Sequence, residues 1–504
     1  MNNGKICVSV FAETADEFIE NIKQAAEFAD VIELRFDCLQ TNEIENVIEN
    51  LPKMDKPYLA TFRPKEQGGK RELSLDERLK FWESILWAKK DKIFWVDFEF
   101  DMSFVINFQK TFTIASSHDF SGVSENLPAV YEIFSITNAD ALKIAVQVND
   151  ISDSIAVWRL LEKAKKQGKE IIPIAMGEAG KWTRILGLAH GAFMTYAALE
   201  SGKETASGQI TAQDLIETYR ARELDEQTEI YGIVGNPVSH SLSPYIHNAA
   251  FKFHNLNAVY IPFEVKNLDE FVAKFIRPET RESELNFKGF SVTIPHKQAI
   301  IEHLDFIDET AEKIGAVNMV KINDGKLHGF NTDAQGFIEP LKTAYGDLKD
   351  VEVAVLGGGG AARACVFALK KEEAKVTIFA RDVEKAKILA DEFQVSFSKF
   401  KFQTSNFKSF DVVINTTPLG TIGEMKNETP VLADQIKDVH LVYDLVYNPF
   451  KTRFLREAES VNVPTVGGLA MLVSQAAAQF KIWTELDAPI IEMNRIALRK
   501  LQSR

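Results

Sequence analysis

The chain lacks the features that would tie it to a membrane, a nucleic acid or an oxidising compartment. Its three cysteines, Cys7, Cys38 and Cys365, have neither metal nor disulfide spacing and sit in apolar surroundings, which fits a reducing compartment. No apolar run reaches transmembrane length. The start, Met-Asn-Asn-Gly-Lys-Ile-Cys-Val-Ser-Val, goes straight into a strand, so neither a signal nor a transit peptide is expected, and the expected location is cytoplasmic. Excess positive charge is missing too: a net charge of −14 argues against nucleic acid or anionic lipid, while leaving local Arg and Lys free to hold an anionic substrate. Gly and Pro are not enriched, and we find no internal repeat and no residue cluster that calls for a metal. What remains is an ordinary globular composition over 504 residues, too long for one domain and suited to about three.

Over residues 5–200, short β-branched runs alternate with helical patterns. The runs are Lys5–Glu13, Val31–Asp37, Tyr58–Arg63, Ile93–Phe100, Thr111–Asp119, Ala141–Val148, Ile171–Met176 and Phe193–Ala197. Eight strand–helix units predict a (β/α)8 barrel, whose active site belongs at the carboxyl ends of the strands. Residues 212–229 read as a last helix running into a short charged joint, with no flexible tether, so the two halves are expected to be held close. A new strand opens at Glu229. Residues 229–335 give strands and helices without a dinucleotide fingerprint. Residues 350–465 form a compact α/β unit with strands at Val351–Leu356, Lys375–Phe379, Asp411–Asn415 and Leu441–Leu445. The helical stretch from Ala470 onward is expected to pack back on the middle domain.

Side chains at i, i+2 and i+4 of a strand share a face, so Glu33, Arg35 and Asp37 are expected to point together into the barrel mouth. Three charges there need partners or a polar ligand. A structural ion-pair cluster would answer that need, but Arg63, His118 and Lys143 join the same rim. Lys143 lies in the apolar run Ala-Asp-Ala-Leu-Lys-Ile-Ala-Val-Gln-Val, where desolvation favours the neutral amine that attacks ketones to give imines. His118 is a suitable base for the carbon that an imine acidifies.

These residues sit in Glu-Leu-Arg-Phe-Asp (33–37), Thr-Phe-Arg-Pro-Lys-Glu-Gln-Gly-Gly (61–69), Ser-His-Asp-Phe (117–120), Ala-Leu-Lys-Ile-Ala (141–145), Thr-Arg-Ile (183–185) and Ala-Ser-Gly-Gln-Ile (206–210). In them the chain resembles type I 3-dehydroquinate dehydratase from residue 5 to about 215. The resemblance implies a Schiff base from Lys143 to the C3 ketone of 3-dehydroquinate, with His118 removing the C2 proton and helping the C1 hydroxyl leave. It implies that Arg184 holds the carboxylate, that Glu33, Arg35, Arg63 and Gln209 fix hydroxyls, and that Thr205 keeps the hydroxyl of a usual serine. The family usually has a glutamate near the histidine; here Gln67 stands there, one place after Glu66, and could change how His118 is oriented.

In the second half, strand Val351–Leu356 followed by Gly357-Gly358-Gly359-Gly360-Ala361-Ala362-Arg363 has the strand–turn–helix context of a dinucleotide site. The next strand ends Ile-Phe-Ala-Arg381-Asp382. Arg381, with Lys385 one turn on, suits a 2′-phosphate and hence NADP, whereas Asp382 argues for NAD. Ser241 and Ser243 precede a helix, as caps or as carboxylate ligands. Lys297 and Asp333 are acid/base candidates, or a salt bridge.

Residues 229–500 resemble shikimate dehydrogenase. The motifs are those around Ser241, Lys297, Asp333 and the glycine loop, with Gly-Ala-Val-Asn (315–318), Asn-Thr-Thr-Pro-Leu-Gly (415–420), Tyr-Asp-Leu-Val-Tyr-Asn-Pro (443–449) and Gly-Gly-Leu-Ala-Met-Leu-Val-Ser-Gln-Ala-Ala (467–477). The resemblance implies that Ser241 and Ser243 bind the substrate carboxylate and that Thr293, Asn318, Asp333, Tyr447 and Gln475 surround its hydroxyls. Lys297 with Asp333 would manage the proton, in preference to the neighbouring His296. Thr416 and Gly468 would join the cofactor-binding residues. Ser291 stands where many relatives have asparagine.

Together the two resemblances imply an α/β chain: a barrel over 1–225, a substrate-binding domain over 229–335 completed by helices in 470–504, and a Rossmann-like NADP domain over 336–469. The first half's product, 3-dehydroshikimate, would be the second half's substrate, reduced to shikimate. The rivals are a catabolic quinate or shikimate dehydrogenase using NAD, and a non-catalytic sensor retaining both folds. Retained Lys143, His118, Lys297 and Asp333 argue against the sensor.

Overall fold

A computed structural model describes residues 2–88, 94–104, 111–400 and 406–502. The chain divides into two compact units, Met1–Ile230 with Gly235–Ser239 and Asn257–Asn286, and Tyr231–Val234 with His240–Leu256 and Phe287–Arg504.

The first unit contains strands β1 (Ile6–Val10), β2 (Val31–Arg35), β3 (Tyr58–Thr61), β4 (Phe94–Glu99), β5 (Thr113–Asp119), β6 (Ala141–Gln147), β7 (Ile171–Met176) and β8 (Thr195–Ala198). All are parallel, each beside the next, and β8 returns to pair with β1. Phe193, leading into β8, donates its N–H to Ile171 O at 2.8 Å. The expected barrel is therefore formed and nearly closed. Apolar residues of several strands, among them Cys7, Leu59, Ile114, Ile172 and Tyr196, form a core cluster there. Two readings change. Asp37 is not on the strand but in a short helical turn, Phe36–Cys38, that follows it. Of the helix and charged joint expected over 212–229, the helical part is little more than one wide turn, Asp214–Thr218, followed by turns. The expected start of the fourth strand, Ile93, lies outside the described residues.

Residues 257–286, which the sequence groups with the middle domain, belong to this first unit. Within it Arg220 donates to Ala258 O at 2.7 Å, and Asp150 accepts the Lys266 N–H at 2.8 Å. Trp182 meets Phe275 edge to face at 5.7 Å. Strands β9 (Glu229–Gly235) and β10 (Ala258–Glu264) come next in the chain.

In the second unit, Tyr231–Val234 of β9 continues into the order β11 (Gly289–Val292), β13 (Met319–Asn323), β14 (Lys326–Phe330) and β12 (Phe306–Ile307). The C-terminal helix Gly468–Thr484 packs on this sheet as expected: Trp483 donates to Val320 O at 3.1 Å and lies 5.1 Å from the Tyr231 ring. The other sheet has β15 (Glu352–Leu356), β16 (Lys375–Ala380), β17 (Ser396–Lys399), β18 (Val412–Asn415), β19 (Leu441–Asp444) and β20 (Thr465–Val466). All pair in parallel, in the order β17-β16-β15-β18-β19-β20. Strand order reverses between β15 and β18, which places a ligand crevice at their carboxyl ends. β17 and β20 were not foreseen; both are short edge strands.

Candidate active sites

Glu33, Arg35, Arg63, His118, Lys143, Arg184, Thr205 and Gln209 all line one cavity at the carboxyl ends of the barrel strands. Lys143 is buried, yet its surroundings are not apolar. Its Nζ lies 3.0 Å from Asp97, 3.9 Å from Glu33 and 3.9 Å above the Tyr196 ring. Asp97 is also ion-paired with Arg63 at 2.8 Å and accepts from Ser116. Burial works to raise the Asp97 carboxyl, but the charges of Arg63 and Lys143 and the Ser116 hydrogen bond outweigh it and hold the carboxyl well below its usual range. Glu99, between Arg63 and Arg78, is pushed up to about 7 because burial outweighs both guanidinium groups. The motifs quoted from the sequence contain neither carboxylate, although Trp-Val-Asp-Phe-Glu-Phe alternates as visibly as the Glu33–Arg35 run does.

His118 sits at the end of β5, with Nδ1 3.4 Å from Arg63 Nη1. Burial, then the charges of Arg63 and Lys143, press its pKa well below 6.5, so the imidazole is neutral and able to take a proton. Gln67 accepts the His118 backbone N–H at 2.8 Å and so holds the strand end that carries the ring; Glu66 is exposed. Arg35 is committed to Asp37 through two bonds of 2.9 Å. Gln209 accepts the Thr205 N–H at 2.7 Å and donates back to its hydroxyl at 3.0 Å.

Arg184 differs from all of these. It is 2% exposed, and its Nε, Nη1 and Nη2 have no hydrogen-bond partner among the described residues. Burial alone presses it down to about 10. An unpaired buried guanidinium is costly, and a carboxylate in the cavity would satisfy it with paired bonds.

In the second unit a second cavity is lined by Ser241, Ser243, Thr293, Lys297, Asn318, Asp333, Tyr447 and Gln475. Lys297 is ion-paired with Asp333, whose other oxygen accepts from Asn318 at 2.7 Å. Asp333 opens helix Asp333–Tyr345, where the helix dipole favours its negative charge, and Asn331 accepts its N–H at 3.0 Å. Ser243 opens helix Ser243–Phe253 and donates its N–H to the Ser241 hydroxyl at 3.1 Å. Sequence reasoning missed Gln479, one helical turn after Gln475, a spacing that the helix period would have marked. It accepts from Ser291 at 2.6 Å and donates to Gln475 at 2.8 Å. His296 does not line the cavity, whereas Lys297 does.

A groove at the β15/β18 switch point is lined by Gly357, Gly358, Gly359, Arg381, Asp382, Lys385 and Thr416. Gly357 has φ +122°, and a Cβ there would lie 2.4 Å from the Thr416 hydroxyl. A Cβ on Gly359 or Gly360 would meet nothing within 4 Å, which leaves the space that a pyrophosphate needs before helix Gly360–Lys371. Gly360 does not line the groove. Ala361 and Gly468 line the neighbouring substrate cavity instead. Asp382 is the N-cap of helix Val383–Phe393 and accepts the Lys385 N–H at 3.2 Å. Its carboxylate thus has a local structural use, and the groove fits a dinucleotide with a 2′-phosphate.

Comparisons with known proteins divide along the same lines. Residues 6–226 match type I 3-dehydroquinase. Residues 233–320 match the shikimate dehydrogenase substrate binding domain, 339–445 shikimate / quinate 5-dehydrogenase, and 468–498 the shikimate 5′-dehydrogenase C-terminal domain. Shikimate dehydrogenase (NADP(+)) of Caldanaerobacter subterraneus subsp. tengcongensis is 42% identical over 52% of this chain and 93% of its own. A crystal structure of shikimate dehydrogenase in complex with NADP+ is 40% identical and covers 55% of this chain and 97% of its own, with a TM-score of 0.51. One relative spans both halves: the chloroplastic bifunctional 3-dehydroquinate dehydratase/shikimate dehydrogenase of Arabidopsis thaliana, 36% identical over 97% of this chain and 83% of the relative. With both cavities on one polypeptide and a relative matching nearly its whole length, the chain belongs to the bifunctional 3-dehydroquinate dehydratase/shikimate dehydrogenase family.

Proposed function

We propose that the chain dehydrates 3-dehydroquinate to 3-dehydroshikimate in the barrel and reduces that product to shikimate in the second half. One observation carries the reading: the candidate residues fall into two cavities, one joining a lysine, a neutral histidine and an unpartnered guanidinium, the other joining a Lys–Asp pair to neutral hydrogen-bonding groups. By function we divide the chain into 1–225, 229–335 with 470–504, and 336–469, although residues 257–286 count with the first compact unit.

In the barrel, Arg184 takes the substrate carboxylate and the Lys143 amine attacks the C3 carbonyl, whose oxygen leaves as water. The resulting iminium draws electrons from the C2–H bond; His118 takes that proton, and the C1–O bond breaks as His118 delivers a proton to the departing hydroxyl, after which water adds to the iminium carbon and the C–N bond breaks to restore the ketone and the lysine. Glu33, Arg35, Arg63, Thr205 and Gln209 hold the remaining oxygens.

In the second cavity Ser241 and Ser243 hold the carboxylate of 3-dehydroshikimate, and Thr293, Asn318, Tyr447 and Gln475 hold its hydroxyls. The cofactor is NADP; in its reduced form it supplies a hydride. Gly357, Gly358, Gly359 and Thr416 would cradle its phosphates, with Arg381 and Lys385 at the 2′-phosphate. Lys297, steered by Asp333, gives a proton to the C3 oxygen as that becomes a hydroxyl. No described helix is long and apolar enough to cross a membrane; the working location is the cytoplasm, and the partners are small molecules, without nucleic acid or membrane. The NADP-named relatives leave the catabolic NAD reading without support.

The test is a coupled assay on the pure protein. With 3-dehydroquinate and NADPH, NADPH should be consumed and shikimate should form. Consumption with added 3-dehydroshikimate alone would refute the dehydratase half.

A further inference from the structure

Tyr196 belongs to none of the motifs discussed above, yet it lines the barrel cavity beside Lys143 and Arg184. It lies on β8, 2% exposed, and the face of its ring is 3.9 Å from Lys143 Nζ. Its hydroxyl has no hydrogen-bond partner among the described residues. Nζ therefore touches three fixed groups: the ring, Asp97 at 3.0 Å and Glu33 at 3.9 Å.

All three suit a positive charge, and the reaction keeps one on that atom. Condensing a lysine ammonium with a ketone gives an iminium and one water: a C–N double bond replaces C–O, two of the three ammonium protons leave with the oxygen, and the charge stays on nitrogen. Before and after that exchange the nitrogen is cationic; between them it must be free to attack. The carboxylates favour the cation by charge but do not fix its direction. The flat ring face closes one side and leaves Nζ facing the cavity, where the carbonyl carbon must arrive.

We infer that Tyr196 is a positioning residue for the Schiff-base lysine, acting through the face of its ring and not through its hydroxyl. The inference rests on the imine reading of the barrel site. Because the hydroxyl has no partner to lose, Tyr196→Phe preserves the proposed function. Tyr196→Met keeps a similar apolar bulk but removes the ring.

The experiment measures dehydratase kcat and KM and the rate at which borohydride traps substrate on Lys143, in the full-length protein. Wild-type protein must trap an adduct on Lys143; if it does not, the imine reading fails and not merely the role of Tyr196. Given trapping, Tyr196→Phe should stay within about two-fold of wild type. Tyr196→Met should lose roughly ten-fold or more in kcat, the scale of a desolvated cation–π contact, with trapping slowed in proportion and KM little changed. Tyr196→Leu is the second ringless variant should the Met variant fail to fold. Equal loss in the Phe and ringless variants would assign the role to the hydroxyl and overturn the inference. Wild-type trapping without the ring, or a rise in KM alone, would overturn it as well.

Discussion

The barrel cavity and the dehydrogenase cavity handle related six-carbon rings, yet they are built from different materials. In the barrel the proposed Schiff-base lysine and its carboxylate are almost sealed, with side chains 6% and 0% exposed, and Glu99, Arg63 and Arg184 are buried around them. In the dehydrogenase the corresponding Lys–Asp pair is 22% and 10% exposed, and most of its neighbours are neutral hydroxyls and amides. The difference follows from where the reactivity comes from. On the proposed mechanism the barrel makes a nucleophile and an electron sink from its own side chains, and it surrounds them with buried charges. The dehydrogenase borrows its reactivity from a cofactor, so its side chains need only orient a ring and move one proton.

The sharpest way to break that comparison is to remove the nucleophile. Lys143→Met should reduce dehydration to background and abolish the borohydride adduct while shikimate oxidation continues at the wild-type rate. Loss of both activities in a folded protein would mean that the cavities are not independent. His118 adds a pH signature. Its depressed pKa keeps the imidazole neutral until well below 6.5, so its acid limb in dehydratase kcat/KM should lie well below pH 6.5. A limb at 6.5 or above would show that burial does not govern this histidine.

Next in size is Lys297→Ala. If Lys297 gives the proton, kcat for 3-dehydroshikimate should fall roughly 10²–10⁴-fold, with KM for NADPH unchanged. A rise in KM for NADPH at constant kcat would move Lys297 to the cofactor and leave the dehydrogenase without the proton donor that the comparison assigns to it.

The same contrast governs how much could be read before the fold was known. Eight parallel strands and the glycine loop were legible because their periods are local: strand length, alternation, and a turn at a fixed offset. Most polar residues lining the candidate dehydrogenase cavity were legible in sequence, since Ser241/Ser243, Thr293/Lys297 and Asn331/Asp333 are short motifs in which neighbours in sequence are neighbours in space. The barrel site was not. Asp97, Ser116 and Tyr196 meet Lys143 only because β4, β5, β6 and β8 wrap the same interior, and no spacing along the chain encodes that. The apolar strand around Lys143 read as a low-dielectric wall; the side chains facing it from other strands include two carboxylates. Asp382 was ambiguous for the opposite reason. Its charge was visible, but its direction, toward the amide of Lys385, was not.

Arg184 turns the burial argument into a measurable trade. Left unpaired, its guanidinium costs the substrate-free barrel stability; paired with a carboxylate, it supplies binding. Arg184→Met should raise KM for 3-dehydroquinate about 30-fold or more, since stranding one partner of a buried charge pair costs roughly 2–5 kcal/mol. The same variant should raise the unfolding temperature of the ligand-free barrel by a few degrees, at about 2–4 °C per kcal/mol for a domain of this size. A lower unfolding temperature would mean that Arg184 is a structural residue and that its lack of a partner has no bearing on substrate.

The smallest effect is expected at the most exposed site, where the comparison can be made finest. Arg381 and Lys385 stand at the edge of the cofactor groove in contact with solvent, so a phosphate held there is screened as a surface ion pair is. Asp382 is turned to its helix cap, 3.9 Å from Lys385 Nζ, and offsets only part of that positive charge. NADPH should therefore have a higher kcat/KM than NADH, and Arg381→Ala should narrow the ratio by raising KM for NADPH alone. A contribution of about 1 kcal/mol, the upper end for exposed pairs, corresponds to roughly five-fold in KM. The effect should shrink with added salt, whereas the Arg184 effect, shielded from solvent, should hardly change. If both variants responded equally to salt, the proposed division between a sealed barrel site and an open dehydrogenase site would fail.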